Sequence, residues 1–144
     1  MPKKQIDVYE IGKKYDYKRF LIEPVKLEHN VPNCGYKLDF NGERAIYCTD
    51  MNNLDDVTAE NFNLYLIEAN FSEKEIQERI NAKLEQGIYP YELDAVHNHM
   101  SREKCDDWLI NNLGENSKYI YMHQHRERGK KNDIHGKDNQ EQQE

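Results

Sequence analysis

Apolar and polar residues alternate along two adjacent stretches of the chain, residues 35–40 (GYKLDF) and residues 44–49 (RAIYCT). Alternation with a period of two is typical of strands that are buried on one face. The two stretches flank Asn41-Gly42, the strongest short hairpin signal, because a type I′ turn requires positive φ at both central residues. The pattern therefore predicts a β-hairpin in this part of the chain.

Four further strands are predicted from runs that are rich in apolar residues. The proline in the second run indicates an edge position or a bend, because proline has no N–H to donate to a neighbouring strand. The four runs are residues 5–12 (QIDVYEIG), residues 19–27 (RFLIEPVKL), residues 63–70 (NLYLIEAN) and residues 118–123 (KYIYMH).

Two segments between the last two of these strands have the period of an amphipathic helix. The first, residues 72–87, begins with a capping box of Ser72 and Glu75 and ends at Gly87. The second spans residues 101–114 and begins at a serine cap. The apolar faces comprise Ile76, Ile80 and Leu84 in the first helix, and Cys105, Trp108, Leu109 and Leu113 in the second.

The order of these elements, strands and a hairpin followed by strand, helix, helix and strand, predicts a layered α/β (α+β) domain over residues 1–125. Residues 126–144 contain a single aliphatic residue, Ile134. A segment so poor in apolar residues cannot bury enough surface to offset the entropy of ordering it. We therefore expect a disordered polar tail there.

Composition and charge argue against some classes of binding partner. The 144 residues fit one domain, and the net charge of −7 argues against non-specific binding to nucleic acid or to anionic membranes, which needs a cationic face. No apolar run approaches the roughly 20 residues of a membrane span, and the N-terminus lacks the apolar segment of a signal peptide. The three cysteines show neither a disulfide framework nor zinc-ribbon spacing. We expect a cytoplasmic protein that does not bind membranes.

Polar residues capable of binding a metal fall at the ends of the predicted elements. Ligands gather at strand ends in layered α/β folds, and imidazole with carboxylate binds Zn²⁺, Mn²⁺ or Fe. A single histidine on a loop is more often a surface residue, and Asp50 after a strand is more often a turn former. Glu68 is different, because a carboxylate at the end of an apolar strand needs a partner. The histidines in question are His29, His97, His99, His123 and His125.

Four stretches in order, "EHNVPNCGYKLDFNGERAIYCTD", "LYLIEANFS", "HMSRE" and "YIYMHQH", resemble the C-terminal half of metallo-β-lactamase-fold hydrolases. The resemblance covers about residues 5–125. It is strongest to the phage and bacterial branch that is similar to ribonuclease Z-like and cyclic-nucleotide phosphodiesterase-like members. It implies half of an αββα sandwich, with a mostly antiparallel sheet and two helices on one face.

The resemblance also implies a role for each matching residue. His29, Asp50 and His123 are expected to bind metal, zinc or manganese, with Asp50 bridging two ions. His99 is expected to lie over the substrate phosphate and to assist proton transfer as the catalytic residue. Glu68 matches an acidic position near the site, where it would contact a ligand and not the metal itself.

The sequence departs from the family in one large respect, since the defining H-x-H-x-D-H motif is absent. Neither His97-Asn98-His99 nor His123-Gln124-His125 is followed by Asp-His, and His29-Asn30 stands where members commonly have His-Asp. Three ligands cannot hold two ions tightly. We therefore expect a half-domain whose site is completed by a homodimer or by a separately encoded N-terminal half.

Half of the sandwich would leave the inner face of the sheet bare, with residues such as Ile46, Cys48, Leu64 and Leu66 exposed. An apolar patch of several hundred Å² is rarely left in contact with water. We expect the partner that completes the site to cover this face.

Three hypotheses about function follow. The first is a metal-dependent hydrolase that cleaves a small phosphodiester substrate. The second is a catalytically inactive truncated domain that acts as a protein-binding module, such as a phage effector or inhibitor. The third is the remnant of an interrupted gene. Joint retention of His29, Asp50, His99 and His123 favours the first, while absence of the histidine-rich motif favours the second.

Overall fold

The computed structural model of the chain describes residues 7–125 and 134–136. Over this part of the chain, seven strands form one sheet whose spatial order follows the sequence, and three helices connect the fifth strand to the sixth. The strands are β1 (Tyr15–Asp16), β2 (Leu21–Leu27), β3 (Asn33–Phe40), β4 (Glu43–Cys48), β5 (Leu64–Glu68), β6 (Lys118–Met122) and β7 (Ile134–Gly136), and the helices are α1 (Glu73–Glu85), α2 (Glu92–Asn98) and α3 (Arg102–Asn112).

The predicted hairpin is confirmed as β3 and β4, which pair antiparallel with Phe40 opposite Glu43. Asn41 and Gly42 form the turn with φ of 56° and 93°, the positive values that a type I′ turn requires. The Asp39 carboxylate accepts the Gly42 N–H at 2.7 Å and closes the turn.

Strand pairing is antiparallel from β1 to β4 and between β6 and β7, whereas β4–β5 and β5–β6 are parallel. The layered, mostly antiparallel α/β fold is therefore confirmed. The two predicted helices occur as α1 and α3, and α2 is an additional short helix. The first predicted strand was misplaced, because residues 7–12 form no strand and β1 begins at Tyr15.

One face of the sheet carries the main core. Ile46, Tyr65 and Ile67 are fully buried there, against Cys105 and Leu109 of α3. A smaller core cluster lies between α1 and α2, where Phe71, Ile76 and Ile80 pack against Leu93 and Ala95.

The opposite face of the sheet, which we call the open face, is apolar and partly exposed. It is formed by Ala45 and Tyr47 of β4, Leu64 and Leu66 of β5 and Ile120 of β6, which are aligned by the strand register. The prediction that Ile46 and Cys48 lie on this face is wrong, since both are fully buried in the core. Alternation explains the error, because Ile46 pairs with Tyr65 and points to the helix side.

Side-chain hydrogen bonds join the N-termini of α1 and α3. The predicted capping box at Ser72 does not form; the Glu103 carboxylate accepts the Glu73 N–H and the Ser72 hydroxyl, both at 3.1 Å. In return, the Ser101 hydroxyl donates to the Glu73 carboxylate at 2.8 Å. The Ser101 cap is confirmed, since its oxygen accepts the Lys104 N–H. The crossed contacts fix α3, and the residues just before it, against the start of α1.

Three further sequence expectations concern the whole chain. Within the range predicted as a tail, residues 126–144, the structure describes only Ile134–Gly136, which form β7 beside β6; the rest lies outside the described residues. Among the helices of the described part, none has the length and apolar character needed to cross a membrane. Cys34, Cys48 and Cys105 carry free thiols.

Candidate metal centre

The candidate ligands lie at one edge of the sheet because three neighbouring strands end there. The central strands β4, β5 and β6 run parallel, so their carboxyl ends meet at the same edge. Asp50 follows β4, Glu68 ends β5 and His123 follows β6. His99 caps the C-terminus of α2, immediately before α3.

The structure brings Asp50, His99 and His123 together. One donor atom from each lies within 4.8 Å of the other two. The His123 Nδ1 and an Asp50 carboxylate oxygen are 3.1 Å apart, and the rings of His99 and His123 are nearly perpendicular with centroids 4.9 Å apart. Bonds of 2.0–2.2 Å to a tetrahedral ion separate its ligands by about 3.4 Å. The 3.1 Å between His123 and Asp50 is close to this value, and the three side chains are therefore a candidate site for a divalent ion such as zinc.

Glu68 lies beneath both imidazoles and is fully buried. One of its oxygens is 2.7 Å from Nδ1 of His99 and 3.2 Å from Nδ1 of His123, and the other accepts the Met51 N–H at 2.9 Å. Burial raises the pKa of Glu68 to about 7, against the opposing effects of the Met51 hydrogen bond and the nearby His123. The carboxylate that the sequence marked as needing a partner thus has several.

The contact with Glu68 determines which nitrogen of His99 is available. Burial lowers the pKa of His99; the Asp50 carboxylate opposes this shift, and His29 adds to it. When the neutral ring donates its Nδ1–H to Glu68, Nε2 keeps its lone pair and can bind a metal. A carboxylate behind the imidazole in this way is the usual arrangement around metal-binding histidines.

Two of the candidate ligands have left-handed backbone conformations, Asp50 with φ of 57° and His123 with φ of 49°. This conformation costs most residues of order 1–3 kcal/mol, although Asp and His tolerate it better than most. Side-chain amides hold both turns. Asn33 donates to the carbonyls of Thr49 and Asp50 at 2.8 and 2.6 Å, and Asn70 donates to the carbonyl of His123 at 2.8 Å.

Sequence reasoning missed both of these asparagines. Asn33 lies at the start of a strand and Asn70 follows one, positions where an asparagine is ordinary. Their partners are 17 and 53 residues away, so no local pattern could have indicated these contacts.

The other three histidines considered for the site, His29, His97 and His125, lie outside the group of three. The His29 ring lies 5.6 Å from that of His99, and its Nδ1 contacts the carbonyl of Asn98 at 3.0 Å. His97 contacts the carbonyl of Leu93 one helical turn earlier, and the His125 side chain is exposed. Of the residues predicted for the site, the structure therefore groups Asp50, His99 and His123 around Glu68, with His29 beside them.

A cavity of about 290 Å³ opens on the centre, and His99 and His123 form part of its wall. A larger cavity of about 510 Å³ lies between residues 53–58 and α3, but none of the three candidate ligands lines it. We assign the smaller cavity to the metal centre because it contains two of the donor side chains.

Comparisons with known proteins identify the fold. No protein-family model matches the chain, and no curated protein matches it. Among solved structures, the chain is similar to the metallo-β-lactamase fold protein YhfI from Bacillus subtilis, with a TM-score of 0.59 and 16% sequence identity. The match covers 81% of this chain and 41% of that one, so the chain spans less than half of the length of its neighbour. The described residues therefore have the fold of half of a metallo-β-lactamase-like domain, as the resemblance implied.

Proposed function

We propose that the chain is one half of a metal-dependent hydrolase of the metallo-β-lactamase superfamily that cleaves small phosphodiesters in the cytoplasm. Within the superfamily we place it in the phage and bacterial branch that resembles ribonuclease Z-like and phosphodiesterase-like members. The observation that carries the proposal is the convergence of Asp50, His99 and His123 above the buried carboxylate of Glu68.

The geometry supports a specific division of roles. Asp50, His99 and His123 bind the ion, zinc or manganese, and Glu68 orients His99. The position of His99 among the donors favours metal binding over the proton transfer expected from the sequence. A divalent ion at this place would supply Lewis-acid activation of the phosphoryl group and of the attacking water.

His29 has a separate role in the proposal. Donation of its Nδ1–H to the carbonyl of Asn98 leaves Nε2 free as a donor, on a ring that lies beside His99. We assign it to a second ion whose other ligands come from the partner that completes the site. Three protein ligands suffice for one catalytic ion but not for two.

The open face supports the need for a partner. The apolar side chains of Leu64, Leu66 and Ile120 are only partly covered, and in the structural neighbour the matched region is less than half of the chain. We propose that a second copy or a separately encoded N-terminal half packs on this face and brings further ligands to the strand ends.

Metal content tests the proposal directly. The purified chain should bind about one zinc or manganese ion, measured by elemental analysis after dialysis. Asp50→Asn should lower the bound fraction at least tenfold, because the amide is a poorer ligand while asparagine keeps the left-handed backbone that Asp50 adopts. Asp107→Asn, an exposed change on α3, is the matched control. Metal content below one ion that does not respond to Asp50→Asn would contradict a metal site here.

The second hypothesis, an inactive domain that binds another protein, is favoured by the open face alone. It predicts that Leu66→Lys abolishes partner binding whereas Asp50→Asn has no effect on any property of the complex. The hydrolase proposal predicts that the complex hydrolyses bis(p-nitrophenyl) phosphate and that Asp50→Asn removes this activity without dissociating the complex.

A further inference from the structure

The wall of the cavity beside the metal centre combines imidazole, cationic and apolar side chains. His99 and His123 line it together with Arg79 of α1. Phe71, Ile76 and Ala95 add apolar surface to the wall, and Glu92 also lines it. Its volume of about 290 Å³ is at the lower limit of pockets that bind small molecules, so a ligand of up to about a dozen heavy atoms fits and a macromolecule does not.

Arg79 is the unusual group in this cavity because its guanidinium forms no direct ion pair among the described residues. Its Nε contacts the carbonyl of Glu75 at a long 3.4 Å, and among the described residues no carboxylate lies within ion-pair distance of its guanidinium. A guanidinium presents a planar set of donors that matches the oxygens of a carboxylate or a phosphate.

The nearest acidic group in the cavity wall, Glu92, is already paired. Both of its carboxylate oxygens contact Nζ of Lys83, at 2.8 and 2.9 Å, and the same ammonium lies 3.4 Å from the centroid of the Tyr91 ring. The positive charge of Arg79 also contributes to lowering the pKa of Glu92, so Lys83, Glu92 and Arg79 together carry one net positive charge at this cavity.

The position of Arg79 follows from the helix. It lies three residues after Ile76 and one before Ile80, the two buried residues of α1, so its stem runs beside the apolar stripe. The side chain is accordingly half-buried, which reduces the conformational entropy that binding an anion would cost.

We infer that this cavity binds a small molecule with an apolar body and a terminal oxyanion, a phosphate or a carboxylate, which Arg79 recognises. The apolar body lies along Phe71, Ile76 and Ala95, and the end opposite the oxyanion reaches His99 and His123. That this molecule is the substrate of the centre rests on the proposed function; the binding itself does not.

The test removes metal, so that binding of the small molecule is measured separately from the proposed metal-dependent activity. In excess chelator, calorimetric titration of the chain with phenyl phosphate and with phenylacetate should show binding of at least one of the two. Arg79→Gln should weaken that binding at least tenfold, and Arg79→Lys should weaken it less because the charge remains. Benzyl alcohol, which has no oxyanion, should bind the parent chain and Arg79→Gln equally.

Lys104→Gln is the control variant, since Lys104 is a cation that lines the other cavity, and it should leave binding unchanged. Circular dichroism checks that each variant is folded. Equal binding of the oxyanions to the parent chain and Arg79→Gln, or no binding of either to the parent chain, would overturn the inference. Because chelator is present, such a result leaves the metal proposal intact, whereas loss of metal binding in the earlier experiment leaves this one unaffected.

Discussion

Glu68 is the buried carboxylate on which two of the proposed ligands of the candidate centre converge. Its carboxylate reaches both His99 and His123 as well as the Met51 backbone, and it is fully buried. A buried charge is costly unless hydrogen bonds or a nearby cation compensate it. A divalent ion held by the two imidazoles next to Glu68 would complete that compensation. The free-energy cost of burying the Glu68 carboxylate would then depend on metal binding.

Glu68→Gln should lower zinc affinity roughly 10–100-fold, the usual effect of removing the carboxylate behind a ligating histidine. The amide can still accept the His99 Nδ1–H, so the change removes mainly charge. Competition with a chromogenic chelator measures the affinity, and Glu75→Gln, on the exposed side of α1, is the control. Unchanged zinc affinity in Glu68→Gln would show that Glu68 has no part in a metal centre.

For single residues, the sequence indicates which side chains are candidates for the site but not how they are arranged in space. Position at the ends of predicted elements selected Asp50, His99, His123 and Glu68, and an apolar strand ending in a carboxylate singled out Glu68. Which imidazole faces which carboxylate depends on how the strand ends and the α2–α3 turn meet in space. That is a tertiary property with no local pattern.

Elements were predictable where the determining interactions are local. The Asn41-Gly42 turn and the apolar stripe of α1 act within a few residues, and both elements were predicted within a few residues of their observed ends. The crossed hydrogen bonds between the N-termini of α1 and α3 join residues about 30 positions apart, so the sequence suggested a local capping box instead. Helix α2, only seven residues long, depends on its packing against α1.

Tyr65 connects β5 to the loop before it and to the end of α3. Its buried hydroxyl accepts the Phe62 N–H at 2.9 Å and shares its proton between the carbonyls of Ala59 and Asn112, at 2.6 and 2.7 Å. Tyr65→Phe leaves these buried backbone groups without that partner and should lower the free energy of unfolding by about 1–3 kcal/mol. Urea denaturation measures the loss, and Tyr47→Phe on the open face should change stability by less than about 0.5 kcal/mol.

The contact between α1 and α2 should make stability depend on pH in a defined window. The hydrogen bond from Lys83 lowers the pKa of Glu92 below its ordinary value of 4.5. A depressed folded-state pKa means that the stabilisation is fully present above the ordinary value and is lost as the pH falls through the lowered one. Glu92→Gln should therefore melt at a lower temperature than the parent chain at pH 7, and the difference should shrink by pH 3. A difference that is the same at both pH values would contradict the role of this pair.

For the whole molecule, the open face is the feature that bears on association with a partner. Strand alternation places Ala45, Tyr47, Leu64, Leu66 and Ile120 on one side of the central strands, and the other side carries the main core with α3. The sequence predicted that a bare apolar face would exist. The sequence analysis assigned Ile46 and Cys48 to the wrong face of the sheet. The face on which each residue of β4 lies relative to those of β5 depends on the register of these two strands, and that register is set by parallel pairing of segments distant in the sequence.

We expect the isolated chain to form a homodimer through the open face. Light scattering after size exclusion should give twice the 17.2 kDa mass of the chain, and Leu66→Lys should shift it to the monomer because a buried charge without a partner opposes association. Ile110→Lys, an exposed position on α3, is the matched control and should remain dimeric. A monomer at all concentrations would exclude the second copy and leave the separately encoded half as the partner.

The strand order of the sheet has a consequence for how the protein is made. Because each strand lies beside its predecessor, a nascent chain can extend the sheet by one strand at a time as it leaves the ribosome. The candidate donors at positions 50, 99 and 123 lie far apart in the sequence, and the last of them directly follows β6, so the group is complete only once β6 has docked. Binding of the proposed ion would therefore be among the last steps of folding. The bound ion would then link the end of β4, the end of β6 and the turn between α2 and α3.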